Sequence, residues 1–113
     1  MKETKLGDFE ETLLLIVGIL EDEAYAFKIA EEFENQLNRS VSIGAVHSTL
    51  SRLGDKGFLI SEMGKPTAER GGRRKRIYEI TGAGQRALKD SRDIKLSLWS
   101  QFPAFANLKF NAG

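Results

Sequence analysis

SIGAVHSTLSRLGDKGFLISEM, residues 42 to 63, changes period partway along, and that change decides the fold. Ile43, Val46, Leu50 and Leu53 recur at helical spacing as far as Gly57, after which FLISEM (58 to 63) alternates in the manner of a strand. Ser42 stands just before the first apolar position, where its hydroxyl can accept from the free amides of a first turn. Gly57 can close the helix in the left-handed conformation. The face opposite the apolar stripe carries Gly44, His47, Ser48, Ser51, Arg52 and Asp55, all small, hydrogen-bonding or charged. Such a face fits the major groove of B-DNA and can meet base edges and phosphates. On an isolated helix it can equally face water.

Toward the N-terminus, Phe9, Leu13, Ile16, Val17 and Leu20 predict a helix over 9 to 21 with Asp8 as its N-cap. Leu14, Leu15 and Ile19 widen its apolar arc, so it is either sunk in a core or covered by another subunit. A second helix is expected over 24 to 37, with Ala26, Ile29, Ala30, Phe33 and Leu37 inward, and NRS (38 to 40) reads as the turn after it.

Toward the C-terminus, RIYEI (76 to 80) is a second short alternating run, separated from FLISEM by a twelve-residue loop rich in Gly, Pro, Lys and Arg. Three helices followed by such a hairpin is the order of a winged helix-turn-helix, a mainly α member of the α+β class. Arg70, Arg73, Arg74, Lys75 and Arg76 then lie on the wing, where a cationic loop can neutralise phosphates or enter the adjoining minor groove, and Gly71 and Gly72 let the backbone approach DNA closely. A solvated loop, a sorting signal or a protease-sensitive tip would have the same local composition.

The 113 residues suit one compact domain with an appended helix. There is no cysteine, which removes disulfides and thiolate zinc sites. The start is charged without an apolar signal region, and the longest apolar run, LLLIVGIL (13 to 20), is too short to span a bilayer, so the expected location is cytoplasmic with no membrane association. The net charge of +1 conceals a polarity: residues 1 to 36 hold ten acids against three bases, and 37 to 113 hold fourteen bases against six acids. A domain segregated in this way can offer one face to a polyanion and keep another off it. Enzymatic readings lack parts. Gly82, Gly84 and Ala87 match the G-x-G-x-x-A dinucleotide fingerprint, but no parallel βαβ unit accompanies them, and His47 is the only histidine for any zinc site or serine-type triad. No metal, cofactor or catalytic residue is expected.

Thr81 can cap a last helix running from Gly82 to about Phe102 and closed by Pro103. These features divide the chain into a DNA-binding domain, 1–81, and a dimerisation helix with its tail, 82–113. Leu88, Ile94, Leu98, Trp99 and Phe102 form a seam too large for a helix of which only the early part packs on the winged domain. The seam is expected to meet its symmetry mate and the first helix, Phe9 and Leu13 included; packing back onto its own domain in a monomer is the alternative. A two-fold homodimer would present two third helices about 34 Å apart to a palindromic operator. Protein docking or RNA binding is the competing use of a winged helix.

The succession LLLIVGIL, YAFKIAEEF, SIGAVHSTLSRLGDKGFL and GGRRKRIYEITGAGQRAL resembles the PadR family of bacterial transcriptional regulators over residues 9 to 88. Its most specific parts are the S-x-G-x-V-x-x-x-L-x-R-L pattern from Ser42 to Leu53 and the wing from Gly71. The resemblance implies a winged helix whose third helix reads DNA through Ser42, Gly44, His47, Ser48, Ser51 and Arg52, a C-terminal helix that makes the dimer, and a ligand-responsive repressor. It also implies a pocket for a small aromatic effector at the dimer interface, where Trp99 lies; plain packing of Trp99 is the other reading. Tyr25 to Ile29 replace the family's usual H-G-Y-E-I, His47 and Ser48 replace its usual tyrosine and proline, and Gly54 stands where a charged helix former is common.

Overall fold

The computed structural model describes residues 5–65 and 74–104. In chain order these form α1 (Asp8–Leu20), a 3-10 turn (Glu21–Glu23), α2 (Ala26–Leu37), α3 (Ile43–Asp55), β1 (Leu59–Met63), β2 (Arg76–Ile80) and α4 (Gly82–Gln101). The strands form an antiparallel hairpin with Leu59 opposite Ile80 and Met63 opposite Arg76. The fold is a winged helix followed by a long C-terminal helix.

Leu13, Leu14, Ile16 and Val17 of α1, Ile29 and Phe33 of α2, and Val46, Leu50 and Leu53 of α3 converge in one core, closed on the hairpin side by Phe58 and Leu59. Full burial of each such aliphatic side chain contributes about 1.5–3 kcal/mol, so this cluster is what fixes the three helices against one another.

The helix boundaries differ from the sequence expectation at two starts. Asp8 lies inside α1; the N-cap is Gly7, whose N–H donates to Glu10 Oε1 at 2.8 Å, so the first turn is closed by a carboxylate reaching back. The start of α2 is at Ala26 instead of 24, because Ala24 and Tyr25 are drawn out toward the hairpin: Tyr78 N–H donates to Ala24 O at 2.9 Å, and Tyr25 has extended angles, φ −109 and ψ 159. Leu37 and Ile43, expected to point inward, are exposed; each sits at the end of its helix, beyond the core.

The limits of α3 follow the residues that predict them. Ser42 Oγ accepts from Ala45 N–H at 3.0 Å, and Gly57 takes φ +81, a conformation that favours glycine. Thr81 then ties the ends together: its N–H donates to Phe58 O at 3.0 Å, its hydroxyl donates to Gly57 O at 2.6 Å, and the same hydroxyl accepts from Gly84 N–H at 3.0 Å. Gly84 is buried where a Cβ would meet the Phe58 carbonyl oxygen and come within 2.8 Å of Ile80 Cγ2, so α4 can leave the hairpin at this angle only through a glycine. The first two turns of α4 are therefore part of the winged-helix packing, with Ala83, Ala87 and Leu88 against the core. The helix ends at Gln101 because Phe102, preceding Pro103, is pushed to an extended ψ of 110.

Candidate nucleic-acid interface

The exposed side of α3 carries Gly44, His47, Ser48 and Ser51, with Ser42 at its N-terminus, all accessible. Two of the hydroxyls are engaged locally: Ser42 in the cap, and Ser48 donating to Ala45 O at 3.3 Å. At Gly44 a Cβ would meet nothing within 4 Å among the described residues, so their packing gives no reason for glycine there. Asp55, on the same side, is exposed at the C-terminal end.

Arg52 differs from the rest of this face. Its Nε lies 3.3 Å from Glu10 Oε2 and its Nη2 donates to Thr49 Oγ1 at 3.2 Å, so its charge is already met from within the domain, although more than half of the side chain is exposed. One turn on, Lys56 Nζ donates to Glu10 Oε1 at 2.7 Å and to Lys5 O at 2.6 Å. Burial pushes the Glu10 carboxyl up, but the Gly7 amide, Lys56 and Arg52 outweigh it and hold the pKa below its ordinary value. Glu10 and Lys56 were not among the residues read from the sequence. The signal for Lys56 was its place four residues after Arg52 on the same side of the helix.

On the hairpin, Arg70, Gly71, Gly72 and Arg73 lie outside the described residues. At the loop end of its strands Arg74 and Arg76 are exposed, and Arg76 Nη1 donates to Ser61 Oγ at 3.1 Å. Lys75 is anchored twice: its carbonyl accepts from Gly64 N–H at 2.6 Å, and its ammonium sits 4.1 Å from the centroid of the Tyr25 ring. The register puts Ser61, Tyr78, Met63 and Arg76 on one sheet face and Glu62 and Glu79 on the other, so these two acids do not interrupt the side that carries Arg76.

The residues expected at a dimer interface are divided by the structure. Ile94, Leu98, Trp99 and Phe102 are exposed along the distal half of α4, joined by Leu96. Leu13 is wholly buried in the chain's own core and is not free to line a second subunit, whereas Phe9 is partly buried and packs edge-on against Phe33 at 5.5 Å. The exposed apolar side of α1 is Leu15 and Ile19. Between α1 and α4 runs a groove of about 660 Å³ whose walls include Leu15, Leu88, Leu96 and Trp99, with Arg92 and Lys95 at its rim. Lys95 Nζ reaches Glu11 Oε1 at 2.6 Å. Among the described residues no helix is long and apolar enough to cross a membrane, and no cluster of His, Asp and Glu side chains could hold a metal ion.

The sequence profile of the transcriptional regulator PadR-like family matches residues 14–90. No curated protein sequence matches the chain. Among solved structures, RosR of H. salinarum is similar at 25% identity, over 83% of this chain and 77% of that one, with a TM-score of 0.64. A PadR-like transcription factor of Bacteroides fragilis shares 23% identity over 88% of this chain and 86% of its own, TM-score 0.61. PadR of Bacillus subtilis, solved in complex with operator DNA, shares 21% identity over 74% of this chain, TM-score 0.58, and the match spans 45% of that longer chain. The last two likenesses bear on the fold alone.

Proposed function

Because the chain belongs to the PadR-like family of transcriptional regulators, we propose that it binds double-stranded DNA as a homodimer, with the outer face of α3 in the major groove and the hairpin on the flanking backbone. The observation that carries this reading is an accessible α3 face made of Gly44, His47, Ser48 and Ser51 in the same winged-helix fold as a hairpin whose loop end bears Arg74, Lys75 and Arg76. His47 and Ser48 are the base-reading candidates, and Gly44 admits a close approach. The wing cations Arg70, Arg73, Arg74, Lys75 and Arg76 hold phosphates, which carry affinity and register without sequence information. Arg52 keeps its Glu10 contact through Nε and its Thr49 contact through Nη2, and offers Nη1 to the backbone beside the groove.

The distal face of α4 supplies the dimer contact, and a dimer presents two reading helices to a palindrome. Occupying a promoter in this way excludes polymerase, so the expected sign is repression. A small aromatic effector would enter between α1 and α4, against Trp99. The function is one of binding and not of catalysis.

Fluorescence anisotropy with a random-sequence duplex, from low to physiological salt, tests the reading. Wild-type binding is expected to weaken steeply with salt, and an Arg73→Ala, Arg74→Ala double variant to lose about two phosphates from the slope. On a selected operator, His47→Ala or Ser48→Ala should change base preference by about 1–3 kcal/mol per lost contact and leave non-specific binding in place. Absence of duplex binding would sink this function in favour of protein docking.

A further inference from the structure

The proposed function has no use for Tyr25, yet its ring is placed with some care. It precedes α2, at the N-cap, where residues that can accept from the first-turn amides are usual and a tyrosine makes no cap hydrogen bond. Its backbone is fixed on both sides: Tyr25 N–H donates to Glu23 O at 3.0 Å, Tyr25 O accepts from Ile29 N–H at 2.9 Å, and the preceding carbonyl, Ala24 O, accepts from Tyr78 of β2. The hairpin and the start of the helix-turn-helix are thereby stitched together beside the ring. Lys75 comes to that ring from the hairpin, one residue before β2, with its own carbonyl bound by Gly64 and its ammonium 4.1 Å from the ring centroid. Both side chains are half-buried, whereas Arg74 and Arg76 on either side of Lys75 are exposed.

We propose that Tyr25 is a positioning residue for DNA binding: its ring face holds the Lys75 ammonium at the junction of hairpin and α2 as a pre-aimed contact for one backbone phosphate. The proposal rests on the DNA-binding reading above and adds to it a residue that touches no nucleic acid. The physical case is one of pre-organisation. A lysine ammonium on a four-carbon stem ordinarily loses rotamer freedom when it binds a phosphate. An ammonium already drawn to an aromatic face has given up much of that freedom in the free protein. The cation–π contact leaves the solvent side of the ammonium, with its hydrogen-bond donors, available to an anion. Such a contact carries no base information, so its effect is the same for every duplex.

The test is a double-mutant cycle on the full chain, read by anisotropy against one selected operator and one random duplex across a salt series, with circular dichroism melts of each variant. Tyr25→Leu is expected to weaken binding about two- to fivefold on both duplexes. Lys75→Met should weaken both and reduce the log–log salt slope by about 0.9, one phosphate. In the Lys75→Met background, Tyr25→Leu should have no further effect. Tyr25→Phe, which keeps the ring face and also guards against misfolding of the leucine variant, should bind both duplexes with wild-type affinity. In the free protein, the Lys75 side-chain methylene resonances next to nitrogen should be shifted upfield by the ring and return to ordinary values in Tyr25→Leu. Full additivity of the two substitutions, or wild-type affinity in a folded Tyr25→Leu protein, would overturn the role of Tyr25 while leaving DNA binding intact. A wild-type chain that binds neither duplex would instead remove the function on which the role depends.

Discussion

Glu10 is one of three acids in the first turn of α1, and its only local distinction from Asp8 and Glu11 is its place three residues after Gly7, whose amide it accepts. Its partners Arg52 and Lys56 lie 42 and 46 positions away, which no periodicity can reveal. What the fold makes of it is a buried carboxylate that holds the end of α3 against the start of α1. Burial opposes its ionisation, yet the Gly7 amide and the two cations leave its pKa below the ordinary 4.5. A carboxyl depressed in the folded state adds stability that is complete above its unfolded pKa and disappears as pH falls through the folded one. Glu10→Gln should therefore cost about 1–3 kcal/mol at pH 7. The gap between variant and wild type should close on the acid side of the ordinary carboxylate range. Urea unfolding at pH 7 and at pH 3 checks this; a gap of equal size at both would mean that the charge plays no part.

At the scale of elements, α3 was legible because its start and stop are written in single residues: Ser42 caps it, and Gly57 leaves it with positive φ. The start of α2 was not, because Ala24 and Tyr25 are claimed by β2 through a hydrogen bond from Tyr78, a tertiary contact that overrides helical pattern. Two glycines show the same division. Gly84 reads from sequence only as a first-turn residue, whereas packing against Phe58 and Ile80 requires it. Gly44 reads as an allowance for close approach, and a Cβ there meets nothing within 4 Å among the described residues. Opposite outcomes follow on substitution by alanine. Gly84→Ala should overpack the junction and cost about 1–3 kcal/mol, lowering the melting temperature by several degrees. Gly44→Ala should leave stability unchanged or raise it by up to about 1 kcal/mol, and at the same time weaken operator binding. Thermal melts with anisotropy on the same two proteins decide the matter. Loss of stability in Gly44→Ala would mean that glycine there serves the fold and not the groove.

For the whole molecule, the adjacent carboxylates Glu10 and Glu11 face different partners: one reaches Arg52 and Lys56 at the end of α3, the other reaches Lys95 on α4. The first turn of α1 thus connects the helix proposed to read DNA with the helix proposed to pair subunits. The sequence made the seam on α4 visible through its spacing. It could not separate Leu13, which the core absorbs, from Leu15, which the core leaves out, since both belong to one broad apolar arc. Ile94 and Leu98, four residues apart, are 61% and 62% exposed in the single chain, so a charge at either position harms no packing within it. Ile94→Glu with Leu98→Glu should therefore leave the melting behaviour of the winged domain in place while placing four like charges across a two-fold contact. In sedimentation analysis the wild type is expected as a dimer and the variant as a monomer. On DNA the variant should bind a palindromic operator no more tightly than a single half-site, because the second reading helix is no longer tethered at high effective concentration. A variant that remains dimeric would move the subunit contact away from this face of α4, and a wild type that sediments as a monomer would remove the homodimer itself.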